Sequence, residues 1–461
     1  MISIKLAGIA KNEATYLPQW IAHHRYFGID EIEVWVNGTS DNSLEILKKI
    51  NSVDKSVTYK NADDFLQDCI KDKKSFQVEA YNEIFNITKK QKKFTHLMFL
   101  DIDEFWTPSD FKTKITYAIE EQIKSDSISF QWHIDTPDTS RRSFIKPFQK
   151  EVAIQKNRHV KSIYNLSANI SRINIHNCFI ENGIYTVCDG KTFEVNDADQ
   201  GELSVISRSD FEKNKNNPEK YFIYHQIFRS QKEYFISLSR GRSHVNDQSL
   251  FKTNRKGYIP EPFSQNSITF SIEAIALEKY YEFVSSYLLK ADLDYHINEA
   301  IQYKEKTMDE MIDKINISPE ILDIYSEQLY NVKINDFSNR LLSIDSVAYC
   351  IDSIFYDQTQ NTTTVKGWVY DKLSSIPMLI RVSGSNIDTS KTKIKKLERL
   401  DVKAVYPEAN NNCGFIIEIF HRMEATSHKT LQNKIFIEFS SKSYSKKIYI
   451  ENKNHTKYRG C

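Results

Sequence analysis

The sequence lacks the features that mark secreted, membrane-spanning or nucleic-acid-binding proteins. Its six cysteines are scattered without a CxxC pair, which fits reduced thiols better than a disulfide framework or a metal finger. No apolar stretch approaches the length of a membrane span, and no basic segment with a long apolar run follows Met1, so no signal peptide is expected. The net charge of +1 provides no overall field to attract nucleic acid or an anionic membrane. We therefore expect a cytoplasmic protein without a nucleic-acid partner.

What the chain has is an ordinary composition and a clear alternation of patterns. With 461 residues, 40% hydrophobic and 27% charged, it can form two to three domains. Short apolar runs predict buried strands, and apolar residues spaced for one helical face predict helices between them. The predicted strands are 2–10, 31–36, 56–60 and 94–100, and the predicted helices are about 16–27, 42–50 and 75–90. This order is typical of a Rossmann-like, mainly parallel α/β sheet, in which ligands bind at the carboxyl ends of the strands.

The most informative stretch is FTHLMFLDIDEFW, residues 94–106, where a buried strand stops at Asp101-Ile102-Asp103-Glu104. Residues two apart in extended geometry lie on the same side of the chain. Two close carboxylates repel unless a cation lies between them, and Mg²⁺ or Mn²⁺ binds carboxylate and phosphate oxygens together. The motif therefore predicts a divalent metal ion on Asp101 and Asp103 that binds a diphosphate. A solvated turn whose acids cap the next helix is the alternative.

Polar clusters also follow two other predicted strands. Lys11-Asn12-Glu13 follows the first strand, and residues 37–41 follow the second. Because the carboxyl ends of parallel strands meet at one edge of the sheet, the three clusters are expected to lie together. This coincidence favours an enzyme over a solvated turn.

Motifs along the first half of the chain resemble a known family. KNEATYLPQWIAHHRYFGIDEIEVWVNGTSDNSLEIL, then Gln77 with AYN at 80–82, and then FLDIDEFW are similar to the opening of bacterial glycosyltransferases of families 2 and 92. The resemblance continues more loosely to about residue 245 through HVKSIYN (159–165), INIH (173–176) and YHQIFRSQKEYFISLSRG (224–241). It implies a GT-A fold and a nucleotide-sugar donor.

Three positions depart from the family pattern. Gln19 stands where many relatives have Glu, Val36 stands where many have Asp, and Ser237 falls near the family's Lys. The change at Val36 puts the recognition of base or ribose in doubt. None of the three changes removes the two aspartates.

The resemblance implies that Asp103 binds the metal ion directly and that Asp101 does so less directly. It also implies a further ligand from a later histidine, for which His225 is the first candidate and His176 the second. A core histidine bonded to backbone is the alternative for His225. The expected cofactor is Mn²⁺ or Mg²⁺, which would stabilise the charge that develops on the departing nucleotide.

Further polar residues are expected to bind the donor. The resemblance places the nucleobase near the first polar cluster, and arginines that follow a helix could neutralise the diphosphate. The predicted donor-binding residues are Lys11, Asn12, Glu13, Asn37, Asp41, Gln77, Asn82, Asp101, Arg240 and Arg242. A helix cap at Asp41, a first-turn acid at Glu13 and a solvated basic turn at the two arginines are the alternatives.

An inverting transferase, which we expect here, needs a general base to take the proton of the acceptor hydroxyl. The segment ISFQWHIDTPDTS (128–140) runs from a strand into a polar loop. Asp135 is the first candidate for the base, and Asp138 and His133 are the next candidates. A retaining mechanism needs no separate base and stays open.

The second half of the chain changes character twice. It reads as helical from 266 to 345, and from 346 onwards as short β-like runs with Gly and Asn turns. We therefore predict a GT-A domain at 1–265, a helical region at 266–345 and a β-sandwich domain at 346–461. The last resembles a β-domain appended to bacterial polysaccharide glycosyltransferases, and could bind the glycan, dock a partner enzyme or mediate self-association.

The leading hypothesis is a metal-dependent glycosyltransferase with a donor expected to be UDP-linked. Its acceptor would be a glycan or lipid-linked glycan of a bacterial capsule or lipopolysaccharide, and peripheral association with the inner face of the membrane stays open. A haloacid-dehalogenase-type phosphatase also has DxD after a strand, but its nucleophile lies on the first main strand. A glycan-binding or scaffolding protein with a degenerate catalytic domain is the third hypothesis.

Overall fold

The computed structural model divides the chain into two compact units. The first contains Met1–Met311 and Tyr325–Val332, and the second contains Ile312–Ile324 and Lys333–Cys461. The structure describes residues 2–138, 141–194, 203–213, 218–240, 249–260, 267–333, 347–371, 378–384, 387–406, 409–422, 435–440, 445–450 and 458–460. The helical region expected at 266–345 is therefore divided between the two units, and its residues 334–345 lie outside the described part.

The first hundred residues alternate between strand and helix, as the sequence predicts. The elements are β1 (Ile4–Ala10), α1 (Leu17–Tyr26), β2 (Glu31–Val36), α2 (Ser43–Val53), β3 (Val57–Asn61), α3 (Asp63–Lys71), α4 (Phe76–Gln91) and β4 (His96–Phe99). Pro18 lies at the start of α1, where its missing N–H has no partner to lose. Gly28, with φ +95°, ends the same helix in the left-handed conformation that glycine adopts without strain.

The rest of the first unit adds shorter strands and two long helices. Its elements are β5 (Glu104–Pro108), α5 (Ile115–Glu120), β6 (Ser127–Asp135), β7 (Glu151–Asn165), β8 (Ile170–Ile173), β9 (Cys178–Ile180), β10 (Tyr185–Val187), α6 (Arg208–Lys213), β11 (Tyr221–His225), α7 (Gln231–Leu238), β12 (Ile268–Ser271), α8 (Ala274–Lys290) and α9 (Asp294–Ile317). The end of α9 belongs to the second unit.

The central sheet of the first unit is mostly parallel, with antiparallel strands added on one side. Its order is β3-β2-β1-β4-β7-β6-β11-β5, with β10 paired to β6 and β12 to β7. Strands β1 to β4 are mutually parallel, and β6 and β11 run in the same direction, while β7 and β5 run against them. The carboxyl ends of β1, β2, β4, β6 and β11 therefore meet at one edge. The chain turns from β3 back to β4 across β1, so the switch point of the sheet lies between β1 and β4.

Both faces of β1 and β4 are buried, which explains their continuous apolar sequences. Along β1, Leu6 belongs to a core that includes Trp20 of α1, while the next residue, Ala7, belongs to a second core that includes Phe99 and Tyr81 of α4. Successive side chains on a strand point to opposite faces. No helix of the described residues is long and apolar enough to cross a membrane.

Gly8 of β1 lies where the first strand passes very close to the end of β4. A Cβ atom at this position would lie 2.9 Å from the carbonyl oxygen of Leu100 and 3.2 Å from the Trp20 ring. We expect Gly8→Ala to lower the free energy of unfolding by about 1–3 kcal/mol, because the core must shift to admit one methyl group. Urea unfolding followed by tryptophan fluorescence measures the loss, and an unchanged midpoint would contradict it.

The second unit contains two antiparallel sheets that share one core. Its strands and helices are α10 (Ile321–Ile324), β13 (Val347–Asp357), β14 (Thr362–Asp371), β15 (Leu379–Gly384), β16 (Ile387–Leu397), α11 (Leu400–Val405), β17 (Gly414–His421), β18 (Ile435–Ser440), β19 (Ser445–Ile450) and β20 (Tyr458–Gly460). One sheet has the order β16-β17-β14-β13-β20 and the other β15-β18-β19. Val365 and Ile417 of the first sheet pack with Ile437 and Phe439 of the second. This is the packing of a β-sandwich.

Candidate functional site

A cleft of about 630 Å³ lies at the carboxyl edge of the central sheet. It brings together the loops after β1, β2 and β4, the end of β11, and residues that follow α7. Its described lining residues are Ile9, Ala10, Lys11, Glu13, Asn37, Gln77, Asp101, Ile102, Asp103, Trp132, His159, Ile175, His225, Ile227, Arg240, Lys252, Asn254 and Arg255. The cleft thus lies at the switch point, where open α/β sheets bind their ligands.

The loops after β1 and β2 are connected by side chains rather than by strand pairing. The side-chain oxygen of Asn12 accepts hydrogen bonds from Ser40 N at 2.7 Å and from Thr39 Oγ1 at 3.0 Å. Asp41 accepts from Ala14 N at 2.9 Å and from Ser43 N at 3.1 Å, beside the start of α2. Neither Asn12 nor Asp41 is among the lining residues, so both shape the cleft indirectly.

Glu13 is a buried acid at the wall of the cleft. Its Oε1 forms an ion pair with Arg240, which follows α7. This pair joins the loop after β1 to a residue more than two hundred positions away, and it gives Glu13 a cation partner. Arg242, the other predicted diphosphate ligand, lies outside the described residues.

Asp101 has partners on both of its carboxylate oxygens. Oδ1 accepts from Gln77 Nε2 at 3.2 Å and from Tyr81 OH at 3.4 Å, and Oδ2 accepts from Lys161 Nζ at 3.2 Å. Its backbone N–H donates to Glu104 Oε2 at 2.9 Å. These contacts fix the turn after β4, and they supply Asp101 with a cation from the protein itself.

Lys161 of β7 is the cation of this turn, and it is only 1% exposed. Its Nζ lies 3.2 Å from Glu104 Oε2, and Glu104 is fully buried. Burial alone would lower the pKa of Lys161, but the carboxylates of Asp101 and Glu104 outweigh it and raise that pKa well above its ordinary value. Burial raises the pKa of Glu104 to about 7, against the opposing effect of Lys161. Lys161 therefore carries its charge throughout the physiological range.

Asp103 and His225 form a pair that faces the cleft. Asp103 Oδ1 lies 3.6 Å from His225 Nε2, and the Asp103 carbonyl accepts from Gln226 N at 2.8 Å. Burial would raise the pKa of Asp103, but His225, Arg229 and Arg255 together hold it well below the ordinary range of a carboxyl group. The ring of Trp132 lies edge-on to His225 at 4.3 Å. Asp103 is thus an ionised carboxylate beside an imidazole nitrogen.

The donors of this pair fit a divalent cation. Carboxylate oxygens suit Mg²⁺ and Mn²⁺, and imidazole is a common metal ligand. Within the described part of the chain, no three His, Cys, Asp or Glu side chains are close enough to hold a metal ion by themselves. A cation on Asp103 and His225 would therefore need oxygens from a bound ligand to complete its coordination, as Mg²⁺ sites with substrate phosphates do.

Cations line the part of the cleft reached by the segment after α7. Lys11, Arg240, Lys252 and Arg255 all belong to the lining. Burial, followed by Arg240, lowers the pKa of Lys11, and burial with Arg240 and Arg255 lowers that of Lys252 well below its ordinary value. Burial accounts for the larger part of each lowered pKa, and repulsion from the neighbouring arginines adds to it. An anion between them would relieve that repulsion.

The three candidates for a catalytic base lie away from the cleft lining. Asp135 is fully buried, and its two oxygens accept from the backbone N–H groups of Phe228 at 3.0 Å and Arg229 at 2.7 Å. His133 stacks on Phe222 at 4.3 Å and accepts from Glu219 N. Asp138 lines a different cavity near the surface. The polar pattern of 128–140 thus reflects buried hydrogen bonding and a surface loop.

Two further predicted residues are engaged in structural contacts. His176 Nδ1 lies 2.9 Å from the Val160 carbonyl, its ring packs near Trp132 and His159, and it is not among the lining residues. Asn82 bonds to both the N–H and the carbonyl of Ile173 and so joins α4 to β8. Gln77, by contrast, does line the cleft.

Four polar lining residues are missing from the sequence-based set. The first is His159, which lines the cleft and belongs to HVKSIYN, a segment that resembles the family but had no assigned role. Lys161 of the same segment does not line the cleft. Lys252, Asn254 and Arg255 lie in a polar run with no motif, and the sequence gives no signal that they reach this site.

No family model matches the chain, and no curated protein matches it. Among solved structures, the crystal structure of HddC from Yersinia pseudotuberculosis is similar over 51% of this chain and 97% of HddC, with 12% sequence identity and a TM-score of 0.25. A likeness of this size carries no argument.

Proposed function

We propose that this protein is a metal-dependent glycosyltransferase of the GT-A type, which transfers a sugar from a nucleotide-sugar donor to a glycan acceptor. One observation carries the proposal. A single cleft at the switch point of the sheet contains the Asp103–His225 pair beside Lys11, Lys252 and Arg255. A nucleotide diphosphate with its divalent cation is the ligand that needs both parts at once.

The diphosphate would lie between the acidic pair and the cations. Arg255 and Lys252 can pair with its oxygens, and charge-assisted hydrogen bonds of this kind are among the strongest in proteins. A bound divalent metal would neutralise charge on the leaving nucleotide. Glu13 and Asn37, at the ends of β1 and β2, also line the cleft and would contact the base and the ribose.

Asp101 lines the cleft and holds the turn after β4 in this arrangement. Its Oδ1 accepts from Gln77 and Tyr81, and its Oδ2 accepts from Lys161. Its role in the proposal is to position the backbone from which Asp103 projects.

The proposed setting follows from the motifs. Their resemblance to bacterial glycosyltransferases supports a UDP-linked donor and a glycan or lipid-linked glycan acceptor in capsule or lipopolysaccharide synthesis. The second unit, a β-sandwich, would bind the glycan or a partner protein.

A donor-hydrolysis screen tests the proposal. The full chain is incubated with a panel of nucleotide sugars and Mn²⁺, and the released nucleotide is measured. A transferase should release UDP from at least one donor, and chelation of the metal should stop the release. Hydrolysis of a simple phosphate ester instead would indicate a phosphatase, and glycan binding without any nucleotide binding would indicate a degenerate domain.

Arg255 provides a prediction about the diphosphate alone. We expect Arg255→Gln to weaken UDP binding by about tenfold, since one charge-assisted hydrogen bond is lost, and to leave uridine binding unchanged. Calorimetry with both compounds measures the difference. Lys256→Gln, on an exposed neighbour, is the matched control and should bind UDP normally; equal losses for the two compounds would refute a diphosphate role.

A further inference from the structure

A second cavity, of about 190 Å³, lies behind the cleft. The two sets of described lining residues have no member in common, but they alternate along the chain. Glu13 lines the cleft while Tyr16 lines the cavity, and Asp103 lines the cleft while Phe105 lines the cavity. The cavity is therefore separate from the proposed nucleotide site.

The wall of this cavity contains both apolar and charged residues. Phe105, Leu288 and Ile301 are among the apolar ones, and Arg141, Arg229 and Glu233 are among the charged ones. A pocket of this kind, apolar with a few converging polar groups, is typical of small-molecule sites.

The two arginines lie beside an aromatic ring and beside acids that already accept hydrogen bonds from other groups. The guanidinium of Arg229 lies 3.5 Å from the centre of the Tyr16 ring. Glu233 already accepts from Ser230 Oγ at 2.8 Å, and the nearby Asp135 accepts from two backbone N–H groups. Arg229 also faces the Asp103 carboxylate of the cleft, so Asp103, Asp135 and Glu233 match in number the cations Arg141, Arg229 and Lys146 of the lining.

Several polar atoms of the lining residues have no hydrogen-bond partner among the described residues. They are Thr15 Oγ1, Arg141 Nε, Arg229 Nε and Arg229 Nη2. Buried polar atoms without partners are costly and uncommon in native proteins. Their concentration around one cavity indicates a polar ligand, toward which small side-chain rotations would turn them.

The volume limits the size of that ligand. An apolar cavity of about 150 Å³ is large enough to bind benzene. A cavity of about 190 Å³ therefore admits one six-membered ring with a substituent, and it is too small for a nucleotide.

We propose that this cavity is a second ligand site, which binds a compound made of one six-membered ring with a single carboxylate or phosphate group. The ring packs between Phe105, Leu288 and Ile301, and the anionic group pairs with Arg141 and Arg229. The site shares no described lining residue with the cleft, and Arg229 is the residue whose charge also reaches Asp103.

Three probes test the site by calorimetry on the full chain. Benzoate and phenyl phosphate carry the anion on a ring, and benzyl alcohol carries the ring alone. We expect at least one anionic probe to bind about tenfold more tightly than benzyl alcohol, the effect of a charge-assisted hydrogen bond. Whichever of benzoate and phenyl phosphate binds more tightly shows whether the site prefers a carboxylate or a phosphate. Binding of none of the probes, or equal binding of all three, overturns the proposal.

Variants locate the bound probe. Arg141→Gln and Arg229→Gln should each weaken the binding of the anionic probe by about tenfold. Arg142→Gln, on an exposed side chain of the same loop, should leave that binding unchanged. Ile301→Phe fills the cavity without a change of charge and should abolish binding, and circular dichroism checks that it folds.

Saturating UDP with Mn²⁺ should leave probe binding in place. Competition by UDP, or loss of probe binding in Asp103→Asn, would place the anion in the cleft and overturn the second site, whatever the fate of the transferase proposal.

Discussion

Asp103→Asn is expected to abolish the dependence of UDP binding on Mn²⁺. In the proposed site, Asp103 and His225 would supply two ligands, so metal alone should bind weakly and UDP alone should bind weakly, while the two together bind well. Changes beside a metal ligand already cost 10–100-fold in metal affinity, so the loss of a ligand itself should cost about 100-fold or more. Calorimetric titration of UDP with and without Mn²⁺ measures the difference.

The controls for Asp103 separate metal binding from folding and from net charge. Asp64→Asn, on an exposed residue of α3, removes the same charge and should keep the full metal effect. Thermal unfolding of Asp103→Asn should show a folded protein, because Asp103 is partly exposed and its side chain is not part of the core. A variant that still bound UDP more tightly with Mn²⁺ would rule out Asp103 as the metal ligand.

Lys161→Met is expected to lower the free energy of unfolding of the first unit by about 3–5 kcal/mol. The substitution leaves the fully buried Glu104 without its cation and removes one partner of Asp101. Glu104, whose pKa burial already raises to about 7, must then either stay charged in the core or take up a proton, and removal of one partner of a buried ion pair is destabilising for this reason. Urea unfolding followed by tryptophan fluorescence reports mainly on this unit, because four of the five tryptophans lie in it.

A double variant tests that explanation. Lys161→Met with Glu104→Gln removes the orphaned charge and should recover more than half of the loss, since a neutral amide can still accept from Asp101 N. Lys124→Met, on an exposed lysine, should change stability by no more than about 0.5 kcal/mol. Equal stability of the Lys161 and Lys124 variants would contradict the role of Lys161.

The local patterns of the first hundred residues predicted the strands that carry the site and the edge of the sheet at which it lies. Apolar runs gave β1, β2, β3 and β4 within one or two residues of their observed bounds, and the rule that ligands bind at carboxyl ends gave the right edge of the sheet. Asp101, Asp103, Glu13 and Asn37 could be assigned to that edge because each directly follows a strand. Their individual roles could not be read from the same pattern.

The candidates for a catalytic base from 128–140 show a limit of the rule that polar residues at strand ends belong to a site. Asp135 and His133 also lie at the end of a strand, yet their side chains point into hydrogen bonds with the backbone of 219–229. A polar residue near a strand end can serve the core as well as a site, and the choice depends on which segment packs against it. That segment is some ninety residues further along the chain.

The sequence by itself determined the α/β alternation, the sandwich-like second half and the position of two acids at the tip of a buried strand, because these follow from contacts between residues close in the chain. Only the tertiary structure decided that Lys161 pairs with Asp101, that Asp103 faces His225, and that Lys252 and Arg255 complete the cleft. Those choices depend on the packing of segments 60 to 150 residues apart, where the burial of charge allows few arrangements and no local pattern records which one is formed.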